Sequence, residues 1–169
     1  MVDVERDFDA SRLSGAQRAG WEGRQADQDR TLDAMHRLER ALASPAPRRE
    51  PAWQDEVLSA LTLLDTAMGG EEENASQPDS LLSDIRRTQP RLRSRVRGLR
   101  SQYSQLRDRI AALRRELGEH GEGDDAPDFS DIRQRLAWLL TALRHQRARE
   151  SDLIYEAYFD AFNIDLGTE

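Results

Sequence analysis

The 169-residue chain contains no cysteine and no lysine; all 25 of its basic residues are arginine. Without thiols there is no disulfide, no thiolate nucleophile and no cysteine-based zinc or iron-sulfur site. Without lysine there is no Schiff base, no phosphate-loop lysine and no lysine general base. Long apolar runs are missing too. Mean hydropathy is -0.82, and no window approaches the roughly 20 apolar residues of a membrane-spanning helix. The first ten residues carry charge where a signal peptide needs an apolar stretch, so a soluble, cytoplasmic protein is expected. No Ser-His-Asp arrangement, glycine-rich phosphate loop or zinc spacing is legible, which leaves no catalytic residue to nominate and predicts a non-enzyme. No alternating strand pattern competes with helix.

What the chain does have is helical periodicity. Over residues 92–117 the positions Leu92, Val96, Leu99, Tyr103, Leu106, Ile110, Leu113 and Leu117 alternate steps of four and three, the seam of one long helix. A second seam of the same rhythm runs through Ile132, Leu136, Leu139, Leu143, Gln146, Glu150, Leu153 and Ala157. Asp128 or Ser130 is placed to cap that helix, which is expected to reach about Phe162. A first helix is predicted over residues 27–43 on Leu32, Met35, Leu38 and Leu42, stopped by Pro45 and Pro47. Another follows Pro51 on Trp53, Val57, Leu61, Leu64 and Met68, loosened at Gly69 and Gly70. Pro90 is placed to open or kink the long helix after a short apolar patch at Leu81, Leu82 and Ile85. The expectation is an all-α, antiparallel up-down four-helix bundle over residues 27–165, with a polar N-terminal arm at 1–26, partly helical or disordered, and a tail at 166–169.

Gln146 and Glu150 put an amide and a carboxylate on one inward face, and Tyr103 occupies the facing seam. A buried carboxylate is costly unless it is paired, hydrogen-bonded, protonated or metal-bound, so Glu150 needs a partner: Tyr103, His36 or an arginine. A buried polar cluster of His36, Tyr103, Gln146 and Glu150 is expected. The competing reading is a metal site, since bundles hold iron and manganese with carboxylates and imidazoles projecting inward.

The stretches Gln89-Pro90-Arg91-Leu92 and Leu99-Arg100-Ser101-Gln102-Tyr103-Ser104-Gln105-Leu106 resemble the third helix of bacterial hemerythrin-like domains, the His/Glu cation-binding four-helix bundles. The segment Glu150-Ser151-Asp152-Leu153-Ile154-Tyr155-Glu156-Ala157-Tyr158 is similar to their closing helix, and His36 in Met35-His36-Arg37-Leu38-Glu39 to their first ligand. The resemblance implies a di-iron centre, yet three histidine positions read Glu72, Tyr103 and Gln146, and two carboxylate positions read Gln102 and Ser76. Only His36 and Glu150 keep ligand types, so a bundle without its iron, acting as a binding or regulatory protein with no cofactor, is expected. The alternative is a rebuilt iron site from His36, Glu72, Tyr103 and Glu150, in oxygen or iron sensing. His145 is one residue out of register with the family's pair and is the weaker candidate.

Between Arg86 and Arg115 there are eleven arginines and one acid, Asp108, and Arg93, Arg100, Arg107 and Arg114 recur every seven residues. This ridge suggests a third role, a helical adaptor holding an anionic partner. With a net charge of -7 and a pI of about 5.1, internal pairing with the chain's own acids is the preferred account, and nucleic acid is not an expected partner. Tyr155, Tyr158, Phe159 and Phe162 are expected to pack at one bundle end or, where exposed, to meet a protein partner or a second copy. His120 falls in a glycine-rich loop and is expected at the surface.

Overall fold

The structure, a computed structural model, describes residues 10–45, 50–119 and 128–160. Helix α1 spans Gly15–Ala43, twelve residues earlier than the periodicity predicts, and so absorbs part of the expected arm. Its start is set by a capping box: the Ser14 hydroxyl accepts from the Gln17 amide at 3.2 Å, and the Gln17 side chain accepts from the Ser14 amide at 3.0 Å. Helix α2, Glu50–Ser76, runs straight through Gly69 and Gly70. A Cβ on Gly69 would lie 3.3 Å from an Arg107 guanidinium nitrogen, so glycine here lets that arginine lie against the helix.

Ser80 caps the short α3, Leu81–Thr88. Pro90 then opens a 3-10 turn, Pro90–Leu92, that feeds α4, Arg93–Glu119. Proline fits there because the first turn of a helix needs no amide donor. Asp128 caps α5, Phe129–Tyr155, which continues as a π-turn over Glu156–Asp160. Pro47, His120, Phe162 and the expected tail lie outside the described residues.

Together α1, α2, α4 and α5 form an all-α four-helix bundle; no strand occurs among the described residues. Cross-helix partners ascend on one helix as they descend on the next. Asp27, Thr31 and Ala41 of α1 bond to Asn74, Glu71 and Trp53 of α2, and Tyr103 and Glu116 of α4 bond to Glu150 and Arg135 of α5. At one end Trp53 donates to the Ala41 carbonyl and Arg133 to those of Leu42 and Ser44, which satisfies two carbonyls in the last turn of α1 and one just past it. Arg133 also lies over the Trp53 ring, 4.7 Å from its centroid.

The apolar interior is divided. One cluster, with Met35, Leu38, Trp53, Leu61, Ile110 and Leu136, fills the Trp53 end. The other, with Leu13, Leu82, Ile85, Val96, Leu153 and Phe159, fills the α3 end. Between them lies a polar layer in which Gln28, Thr31, Glu71, Gln146 and Glu150 are all buried. Tyr158 and Phe159 are buried in the second cluster, with Tyr155 packed beside them.

Candidate functional site

Each long helix delivers at least one polar group to this layer at a position where its seam would otherwise be apolar. The Tyr103 hydroxyl of α4 lies 2.7 Å from Glu71 Oε1 of α2 and 2.9 Å from Glu150 Oε2 of α5. Thr31 of α1 donates to Glu71 Oε2 at 2.7 Å. Arg24, about two turns earlier on α1, places Nε 3.0 Å from Glu150 Oε1. The Arg24 guanidinium also reaches Ser151 Oγ and lies over the Trp21 ring. Glu71 and Glu150 are 5% and 2% exposed, so neither charge is relieved by bulk water.

A phenol has one proton and can donate to one acceptor, yet two carboxylate oxygens sit within hydrogen-bond distance of Tyr103 Oη. A carboxyl that kept its own proton would donate it to the phenol and leave the phenol's proton for the other carboxylate. Burial pushes the Glu71 carboxyl above the usual carboxylate range, with the nearby Glu150 charge adding to the shift while Tyr103 and Thr31 oppose it. Burial also pushes the Tyr103 phenol upward, as do the flanking Glu150 and Glu71. The resulting chain runs from Glu71, whose protonated form burial favours, through Tyr103 to Glu150, which ends on the Arg24 guanidinium.

A second polar set borders the first. Asp27 is 3% exposed, accepts from Asn74 at 2.8 Å and pairs with Arg30. Arg147 donates to the Gln28 carbonyl at 3.0 Å. Gln28 Nε2 and both amide atoms of Gln146 are buried without a protein partner.

Of the residues nominated from sequence, Tyr103, Gln146 and Glu150 lie in this layer, and Tyr103 bonds to Glu150. His36 does not join them. It is exposed, because Met35 and Leu38 take the inward positions and His36 lies about 100° round the helix from Met35. His145 and Ser76 are exposed as well. Glu72 is half-buried and turned to α4, where it meets Ser104 at 3.2 Å and Arg107 at 3.0 Å. The expected cluster of His36, Tyr103, Gln146 and Glu150 is thereby corrected: Thr31 and Arg24 of α1 stand in for His36, and Glu71 of α2 joins the layer where the alternative iron site had Glu72. Glu71 could have been found by carrying the α2 rhythm from Leu64 and Met68 one step further, past the two glycines.

These residues do not fit a di-iron centre. The set holds two carboxylates, a phenol, a hydroxyl and a guanidinium but no imidazole. All four oxygens of Glu71 and Glu150 already have protein partners, and Arg24 brings positive charge to Glu150. Among the described residues no group of three or more His, Cys, Asp or Glu side chains is arranged to hold a metal ion.

The arginine ridge is largely engaged from within. Arg107 contacts Asp65 at 3.4 Å and Glu72 at 3.0 Å, and Arg114 contacts Asp65 at 2.9 Å. The Glu72 hydrogen bond, followed by Asp65, holds the Arg107 guanidinium above its ordinary range. Arg100 donates to the Ala75 carbonyl and to Ser83 Oγ, and Arg93 to the Arg86 carbonyl.

The fold and site together define an all-α four-helix bundle with a carboxylate-tyrosine centre. Comparison with protein-family models, curated proteins and solved structures gives no match for this chain. No helix among the described residues is long and apolar enough to cross a membrane.

Proposed function

We propose that the protein is a non-catalytic binding or regulatory bundle, akin to the hemerythrin-like domains its motifs resemble, in which hydrogen bonds occupy the place of a di-iron centre. One observation carries this reading: each carboxylate oxygen of Glu71 and Glu150 has a protein partner, with Arg24 as the counter-charge. A cation entering here would have to displace both the guanidinium and the shared proton, with only oxygen ligands to replace them. The same reading makes the partner a protein or a small molecule rather than nucleic acid, in keeping with the net charge of -7 and the engaged ridge.

Metal analysis by mass spectrometry of protein purified under iron-replete conditions tests it. The expected result is no stoichiometric iron and no oxo-bridged absorption; about two irons per chain would overturn the reading.

A further inference from the structure

The arginines paired with Asp65 and Glu72 line the α2 side of α4; its opposite flank faces α5. Two hollows lie along the groove between α4 and α5, one of about 380 Å³ at the α3 end and one of about 290 Å³ towards the Trp53 end. They are one arrangement repeated. On α4 each of these residues of the second hollow lies fourteen positions beyond its counterpart in the first: Arg95 and Arg109, Gly98 and Ala112, Leu99 and Leu113. On α5, which runs the other way, Arg149 and Leu153 are matched by Arg135 and Leu139. Each hollow therefore has buried leucines at its base, a small residue beside them and an arginine from either helix at its rim. That offset is two heptads, about 21 Å of helix, the distance at which a further helix laid along the groove presents the same face again.

Two features of the groove go unexplained by the chain's own packing. Trp138, in the second hollow, is 69% exposed, against 40% for Leu63, the other exposed large apolar side chain among the described residues. Gly98 stands inside α4, where glycine weakens a helix; a Cβ on it would meet nothing within 4 Å, and its absence keeps the first hollow open. The charges point to the occupant. Ion pairs close both ends of the groove, Glu156 with Arg91 and Arg95 at one and Arg135 with Glu116 and Asp131 at the other. Between them four exposed arginines, Arg97, Arg109, Arg115 and Arg149, make no ion pair among the described residues, against two such acids, Asp108 and Asp152. A two-fold contact with a second copy would set this groove against another with the same arginines, whereas an acidic helix supplies the carboxylates they lack.

We propose that the α4–α5 groove docks an acidic amphipathic helix of a partner protein, which sets apolar side chains into the two hollows, covers Trp138 and brings carboxylates to Arg109 and Arg149. The proposal rests on the reading of the bundle as a binding protein and supplies the partner's chemistry.

Fluorescence titration of the full chain with a helical peptide tests it; the peptide bears one leucine per heptad over three heptads, glutamate on either side of that stripe and no aromatic residue. Binding should be saturable and shift the emission to the blue, and Trp138→Phe should lose the shift. The same peptide with lysine for glutamate, or with its leucines scattered round the helix, should bind about tenfold or more weakly. Reversing both charges, Arg109→Glu with Arg149→Glu, should invert the preference between the glutamate and lysine peptides. Gly98→Leu should fill the first hollow and weaken binding. Equal binding of the two peptides, a preference unaltered by the charge reversal in a folded variant, or no binding of the glutamate peptide would overturn the proposal. A concentration-dependent dimer that Trp138→Glu disperses would also overturn it, by assigning the groove to a second copy. Stoichiometric iron in the purified protein would instead overturn the metal-free reading of the bundle, whereas iron-free protein that ignores the glutamate peptide sinks this proposal alone.

Discussion

Glu71 and Glu150 are the same side chain in the same layer, but they respond oppositely to the same substitution. Burial favours the protonated form of Glu71, so Glu71→Gln should keep that form's pattern: the new amide donates to Tyr103 and its carbonyl accepts from Thr31. Glu150 faces a guanidinium, so Glu150→Gln removes the counter-charge of an Arg24 side chain that is only 9% exposed. The expected cost is roughly 1.5–3 kcal/mol, the worth of a charge-assisted hydrogen bond. Because the folded protein holds the Glu71 proton more tightly than the unfolded chain, the stability from this group is complete at acid pH. It is lost as pH rises from the usual carboxylate range through the raised value of Glu71, at no more than about 1.4 kcal/mol per pH unit. Denaturant melts across pH should therefore show that Glu71→Gln matches the parent at low pH and exceeds it at neutral and alkaline pH. A Glu71→Gln variant less stable than the parent at every pH would mean that the proton lies elsewhere.

Among the helices, α1 links local sequence to the site most directly. The capping box at Ser14 starts it, and the segment after that cap carries Arg24 to Glu150. Ser14→Ala should cost about 1 kcal/mol and speed hydrogen exchange through the first turns of α1; unchanged exchange there would show that tertiary contacts alone hold the segment. This part of α1 is hard to read from sequence because Gly15, Gly20 and Gly23 interrupt its pattern and the inward positions further on are polar, namely Asp27, Gln28 and Thr31. In α4 and α5 the seams are legible throughout, since their inward positions from Leu92 to Leu117 and from Ile132 to Ala157 are all buried. Tyr103, Gln146 and Glu150 stand out there as polar groups in an apolar rhythm. Glu71 does not, because Gly69 and Gly70 mask the continuation of its seam. His36 misleads because it borders an apolar stripe, and sequence spacing cannot separate the edge of a stripe from its centre.

For the whole molecule the net charge is -7, and on α4 Arg107 and Arg114 are paired with Asp65 and Glu72 while Arg97, Arg109 and Arg115 stay exposed. Affinity for duplex DNA or RNA should be weak, salt-sensitive and without sequence preference; submicromolar, sequence-selective binding at physiological salt would restore the adaptor role. The two apolar clusters are joined by a layer in which protein groups meet every carboxylate oxygen of Glu71 and Glu150, and the proposed reading is that no ion is needed there. Thermal melts of the parent and of Glu150→Gln, with and without Fe(II) or Mn(II), test this most directly. Neither metal should shift either melting temperature, and Glu150→Gln should melt lower under all conditions. A metal-induced rise in the parent that vanishes in Glu150→Gln would contradict it.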